Sequence, residues 1–238
     1  MSGHNKWSKI AGKKGVADQK RSNEFSKIIK TIIVAAKEGA DPDTNFKLRL
    51  AVDKARSVNM PKDNIERAIA RGSGTSGEAV IEEVIYEGFG PEGSAILVEA
   101  QTDNRNRTSS DMKHLFSHHG GSLGGPNSVK WMFENRGVIE IKNDQFTDKD
   151  SLVMELLDLG ATDVEDDEES IIVYTNFENF PKLKKALDEK NIKTESAEME
   201  WVAKDSTAVS DAAKEIISKL FEAFEENDDV SNYFTNVS

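Results

Sequence analysis

The chain contains no cysteine in its 238 residues. Disulfides, thiolate metal sites and a cysteine nucleophile are thereby excluded, and a reducing interior fits. It also lacks any apolar run near the roughly 18 to 20 residues that span a bilayer, and its start lacks the apolar core of a secretory signal. No membrane partner is expected, and the protein is expected to be soluble and cytoplasmic. What the chain has in quantity is charge, 31% of residues with a formal net charge of −12, beside 37% apolar residues that suffice for ordinary cores.

That charge is unevenly laid out. Residues 1–75 carry 16 Lys+Arg against 8 Asp+Glu, a balance of +8, and the rest carry 15 against 35, a balance of −20. Charges this separated act within a screening length of about 8 to 10 Å, so a basic module on an acidic body points to a polyanion met at one end only.

Apolar spacing divides the chain. Residues 1–15 contain Gly3, Gly12 and Gly15 and no sustained periodicity, the pattern of an arm that is flexible or ordered by a partner. A helix is predicted from about Asp18 or Ser22 to Glu38, with Phe25, Ile28, Ile29, Ile32, Ile33 and Ala36 on one face and Lys20, Lys27, Lys30 and Lys37 opposite. A second is predicted to start at Asp41 and Pro42 and to bury Leu48, Ala51, Val52, Ala55 and Val58. A third begins at Pro61, buries Ile65, Ala68 and Ile69, and ends at Gly72, and GSGTSG (72–77) reads as a linker.

Beyond the linker the period changes to that of strands, predicted at 80–87, 94–101 and 129–133, with a helix at about 106–119 opened by a Thr108 and Asp111 capping pair. From Gly137 the order is βαββαβ, the split arrangement of ferredoxin-like folds. A last helix over about 207–226 and a strand at VSNYF are predicted to complete the piece 78–134. The expected fold class is therefore α+β: a helical domain (1–77), then two α/β domains, ferredoxin-like, one inserted in the other (78–134 with 205–238, interrupted by 135–204).

Four stretches invite chemical readings. GFGPEG (88–93) satisfies G-x-G-x-x-G, but a dinucleotide site also needs a helix to begin there, and SAILVEA reads as a strand. His114 and His118 stand four apart on a helix, the spacing of a metal pair, on the face expected to see solvent and without the Glu of H-E-x-x-H. DVEDDEE (163–169) and FEAFEENDD (221–229) read as solvated acidic stretches, with contact to a basic partner as the alternative. DNRNRT (103–108) places Arg105 and Arg107 at a helix entry, where two guanidinium groups either clamp phosphate or pair with carboxylates such as Asp103 or Glu99.

The strongest polyanion signal is the arm and first helix. Lys6, Lys9, Lys13, Lys14, Lys20 and Arg21 lie within sixteen residues relieved only by Asp18, and Trp7 offers a stacking face. Lys27 and Lys30 continue the basic face. No helix-turn-helix, zinc-finger or RNP-like pattern accompanies them, so phosphate contact rather than sequence readout is expected. The candidate nucleic-acid-binding residues are thus Lys6, Trp7, Lys9, Lys13, Lys14, Lys20, Arg21, Lys27, Lys30, Arg105 and Arg107; no catalytic residue, metal, cofactor or small-molecule substrate is expected.

GHNKWSKI with KGVADQKRSNEFSKI, then AVDKARSVNMPKDNIERAI, YEGFGPEG, TDNRNRT and HGGSLG, in this order, closely resemble the YebC family, which includes the mitochondrial translational activator of cytochrome c oxidase. The resemblance covers essentially the full length. It implies a helical N-terminal domain followed by two α/β domains, one inserted in the other, and a non-enzymatic regulator of gene expression. Members are commonly labelled probable DNA-binding transcriptional regulators, and the family is also tied to translation at the ribosome. The absence of an Arg- and Ser-rich segment ahead of GHNKW argues against an organellar precursor. Promoter DNA and ribosomal RNA, with the ribosome itself, are the partners to be weighed; the charge layout modestly favours the ribosome. The alternatives are an interaction adaptor using the acidic domains, and an enzyme built on His114 and His118 or on GFGPEG.

Overall fold

A computed structural model describes residues 17–74, 80–143, 149–166 and 170–238, with side chains described from Ser22 onward in the first helix. Among these residues the chain is mixed α+β, with seven α-helices and two four-stranded antiparallel sheets. It divides into two compact units, one ending at Met132 and resuming over Asp205–Ser238, the other spanning Phe133–Lys204. The arm, residues 75–77 of the linker and residues 167–169 of the acidic hairpin lie outside the described residues.

The first unit begins with α1 (Ala17–Ala36), α2 (Phe46–Ser57) and α3 (Lys62–Gly72). The apolar spacing read from the sequence closes here into one core, in which Ile28, Ile32 and Ile33 of α1 meet Leu48, Val52 and Ala55 of α2 and Ile65 and Ala68 of α3. The second helix starts later than Asp41 and Pro42 suggested, because Asn45 caps it. Its Oδ1 accepts from the Leu48 N–H at 3.1 Å, while its Nδ2 donates to the Ala35 and Gly39 carbonyls at 2.7 and 2.8 Å. One side chain therefore joins the end of α1 to the start of α2.

The same unit continues with β1 (Glu82–Phe89), β2 (Ala95–Thr102), α4 (Arg105–His118), β3 (Ser122–Leu123), α7 (Asp211–Glu226) and β8 (Val230–Thr235), in the sheet order β3-β1-β2-β8. One face of this sheet holds Ile96, Val98 and Ala100 against Met112 and Phe116 of α4 and Ile217, Leu220, Phe221 and Phe224 of α7. Phe221, Phe224 and Tyr233 stack there, with centroids 4.5 to 6.2 Å apart. On the opposite face α1 reaches β2, where Thr31 meets Gln101 at 3.2 Å.

The second unit contains β4 (Phe133–Lys142), α5 (Lys149–Asp158), β5 (Ala161–Asp166), β6 (Ser170–Thr175), α6 (Phe180–Glu189) and β7 (Thr194–Ala203), in the order β5-β6-β4-β7. This is the ferredoxin-like split βαβ arrangement. Gly137 is required at its centre: a Cβ there would overlap the Phe180 ring and the Thr175 methyl.

Set side by side, the two sheets have one spatial order. β2, α4 and β3 correspond to β4, α5 and β5, and α7 with β8 corresponds to α6 with β7. Only β1, the counterpart of β6, has moved to the front of its unit. The inserted unit occupies the chain position that strand vacates.

Three local expectations are corrected. Residues 130–132 of the predicted strand VKWMF form a 3-10 turn, and the strand begins at Phe133. The last helix begins at Asp211 rather than near 207, because the Ser210 hydroxyl caps it by accepting from the Ala213 N–H at 3.2 Å. At α4 the cap is Asn104, accepting from the Arg107 N–H at 3.2 Å, and not the Thr108 and Asp111 pair.

Candidate nucleic-acid interface

Of the eleven candidate residues, Lys6, Trp7, Lys9, Lys13 and Lys14 lie outside the described residues, as do the side chains of Lys20 and Arg21. The remaining four are cations in the first unit, and each is engaged within the fold. Lys27 donates its Nζ to the Glu225 carbonyl at 2.7 Å and to that of Phe224 at 3.4 Å, at the C-terminal end of α7. Exposed carbonyls at a helix C-terminus attract cations. Burial pushes this ammonium down to about 8, against the attraction of Glu225 and Asp228.

One turn further along α1, Lys30 donates to the Asp228 carbonyl at 2.9 Å and to Asp229 Oδ1 at 2.7 Å. Arg107 reaches the other carboxylate oxygen of Asp229 at 2.9 Å and Asp103 at 3.0 Å. The Thr108 hydroxyl lies 2.8 Å from that same oxygen, and that of Thr102 at 3.3 Å. Asp229 is nearly inaccessible, with a side-chain exposure of 6%. Burial opposes its ionisation, but the hydrogen bonds from Lys30, Arg107 and Thr108 outweigh it and hold the carboxyl at about 2. Arg105 pairs with Glu82 on an exposed surface.

Part of FEAFEENDD is thus not a solvated stretch. It supplies Phe221 and Phe224 to the core and Asp229 to a buried junction. The partners of Arg105 and Arg107 include the expected Asp103, whereas Glu82 and Asp229 were not anticipated, being separated from their arginines by 23 and 122 residues.

Beside this junction lies an open cleft of about 280 Å³, lined by Ser26, Ile29, Lys30 and Ile33 of α1, Arg71 of α3, and Ile81, Asp103 and Arg107. Arg71 was missed in the sequence because it stands at the end of a helix between small residues. Only the crossing of α1 and α3, where Gly72 packs against the Ile33 carbonyl, brings it alongside Lys30.

The other constellations resolve structurally. GFGPEG joins two antiparallel strands through a 3-10 turn (91–93). A Cβ on Gly88 would overlap the Phe116 ring, and Glu92, in the left-handed region at φ 56°, accepts from the Ser210 N–H and hydroxyl at 3.0 and 2.6 Å. His114 and His118 are exposed, with their rings stacked 5.6 Å apart. Among the described residues no cluster of three or more His, Asp or Glu could hold a metal ion, and no helix is long and apolar enough to cross a membrane.

Residues 5–75 match the TACO1/YebC protein N-terminal domain, and residues 81–237 match the TACO1/YebC second and third domain. The chain belongs to the TACO1/YebC family. A probable transcriptional regulatory protein of Thermoanaerobacter pseudethanolicus is 46% identical to this TACO1/YebC chain, over all of it and 97% of the relative. Another, from Trichlorobacter lovleyi, is 47% identical over 99% of this chain and 95% of the relative. The crystal structure of a conserved hypothetical protein from Aquifex aeolicus superposes with a TM-score of 0.86 at 38% identity, covering 95% of this chain and 93% of that one.

Proposed function

We propose that this TACO1/YebC protein is a non-enzymatic regulator of gene expression that grips nucleic-acid phosphates through its N-terminal arm and the start of α1. The observation that carries this is the charge split, +8 over residues 1–75 against −20 over the rest. The geometry narrows it. Lys27, Lys30, Arg105 and Arg107 are engaged with carbonyls and carboxylates of their own unit, so phosphate contact is assigned to Lys6, Lys9, Lys13, Lys14, Lys20 and Arg21, with Trp7 as a stacking face.

The names of the relatives support a regulator acting on transcription. The electrostatics favour RNA within a ribosome over free duplex DNA. A body at −20 is repelled by a bare duplex, while on a ribosome its acidic surfaces face cationic proteins as the arm meets RNA. Localisation in the cytoplasm follows from either target. The domains this requires are residues 1–77, 78–134 with 205–238, and 135–204.

The deciding experiment is co-sedimentation with ribosomes at physiological salt, set beside retention of duplex DNA at the same salt. Co-sedimentation that is lost in the Lys13→Glu/Lys14→Glu variant supports the ribosomal reading. Protein that ignores ribosomes and retards a particular promoter overturns it. Binding to either one that is unchanged by the double reversal, in both strength and salt dependence, overturns the role of the arm.

A further inference from the structure

The longest stretch of the chain without an acidic residue is not the arm but residues 112–133, which contain no Asp or Glu and include Lys113 and Lys130; the second longest is residues 1–17. Each of these stretches contains the pair Lys-Trp, at Lys6–Trp7 and at Lys130–Trp131. The third tryptophan, Trp201, lies instead among Glu198, Glu200 and Asp205.

The structure describes the second pair. The indole of Trp131 is 66% exposed, in a fold whose other large aromatic side chains are mostly buried. It is also held in place. The Glu87 carboxylate points from β1 into the loop 124–131 and accepts the N–H groups of Asn127, Val129 and Lys130 at 2.6, 2.9 and 2.7 Å, while the Glu87 carbonyl accepts from the Gly124 N–H at 2.7 Å. Val129 is wholly buried beneath the loop, and the Trp131 Nε1–H donates to the Ser128 carbonyl at 3.2 Å. A carboxylate buried to fix three backbone amides, and an indole tied to the fixed segment, together make a rigid aromatic face, with Lys130 next to it in the chain.

We propose that Trp131, with Lys130, is a second nucleic-acid contact of this chain, one that stacks an unpaired base of single-stranded RNA. It rests on the nucleic-acid function proposed above and adds to it a site in the middle domain. The loop packs on the sheet face that carries Glu87, whose β1 neighbour Glu83 meets Gln101, the residue contacted by Thr31 of α1. The platform and the helix that extends from the arm therefore share one face of the sheet. Stacking is tolerant of sequence and demands an unpaired base, since in a duplex both faces of a base are already covered. The loop itself brings no acid, and the Glu87 carboxylate beneath it is taken up by three of its amides, which lessens the repulsion a phosphate backbone meets here.

The test uses the full chain carrying Trp7→Phe and Trp201→Phe, so that Trp131 is the only indole, and every further variant is compared within this background. It is titrated with a single-stranded oligoadenylate and with an RNA duplex of equal length at physiological salt, and binding is followed independently by anisotropy of labelled RNA. The single strand is expected to quench Trp131 with the same midpoint as binding, and the duplex is expected to leave it unchanged. Trp131→Ala should weaken single-strand binding about five- to a hundredfold, Trp131→Phe should restore most of it, and Glu87→Gln, which loosens the loop, should weaken it in the same direction. Binding without quenching, equal quenching by the duplex, or full affinity in Trp131→Ala overturns the platform while leaving the arm's role standing. A wild-type chain that binds no nucleic acid, whether single-stranded RNA, ribosomes or duplex DNA, overturns the functional reading, and the platform with it.

Discussion

Lys30 Nζ stands 2.7 Å from Asp229 Oδ1, so that α1 is fastened to the turn that precedes β8. Four side chains converge on this carboxylate, and its folded value of about 2 lies below the usual 3.8. For such a group the stabilisation is complete above the unfolded value and is lost as pH falls through the folded one. Stability is therefore expected to decline between about pH 4 and pH 2, and this part of the decline should be absent in Asp229→Asn. Urea unfolding of both proteins across that range checks it. At pH 7, Asp229→Ala should cost about 3 kcal/mol, because Lys30 is left half-buried without its carboxylate.

Lys27 has the opposite sign. Its folded value of about 8 lies below the ordinary 10.5, so between these limits the unfolded chain holds more protons, and stability rises with pH across that window. Comparing the wild type with Lys27→Met at pH 7.5 and pH 10.5 cancels the groups the two proteins share. The stability difference is expected to move in favour of the wild type at the higher pH. A difference that is flat or falls would show that the ammonium is not desolvated at the end of α7.

The two arginines of DNRNRT should separate in any thermal scan. Arg105 joins Glu82 in an exposed pair, so Arg105→Ala should change stability by less than about 1 kcal/mol. Arg107→Ala removes a hydrogen bond from a buried carboxylate, and a cost of about 2 kcal/mol is expected. Equal effects would contradict the assignment of Asp229 as the centre of the junction.

Gly88→Ala should destabilise by about 2 kcal/mol or more, since the added methyl enters the Phe116 ring. Gly93→Ala meets no atom within 4 Å but sits at φ 76°, so its cost should be limited to backbone strain of about 1 kcal/mol. A G-x-G-x-x-G loop cradling phosphate would instead show both changes in nucleotide affinity. Calorimetric unfolding, with a nucleotide titration alongside, decides between them.

Much of the architecture was legible because it follows from period. The i, i+3, i+4 spacing from Phe25 to Ala36 could serve only a helix, and the change to period 2 after the linker marked the sheets. The errors cluster where a distant residue takes over a local signal. Thr108 looks like a cap, but its hydroxyl is claimed by Asp229, 121 positions away, leaving the cap to Asn104. VKWMF has the composition of a strand, yet its first amides are captured by Glu87 and turn away from any ladder. The lysines of α1 show the same limit from the other side. A basic stripe on a helix carries no mark of whether it will face a phosphate or a neighbouring carbonyl, and for Lys27 and Lys30 the choice lies some 200 residues downstream.

The spacing between α1 and its seat also has a temporal meaning. A ribosome emits residues in order, and α1 has emerged long before residues 224–229, which receive Lys27 and Lys30, have been joined to the chain. Through most of synthesis those two lysines have nowhere to dock, and the basic end of the nascent protein is at its most cationic. Its seating on α7 signals a finished molecule: a chain truncated ahead of Phe224 would carry the same arm on an unlatched helix, with two additional free cations beside it.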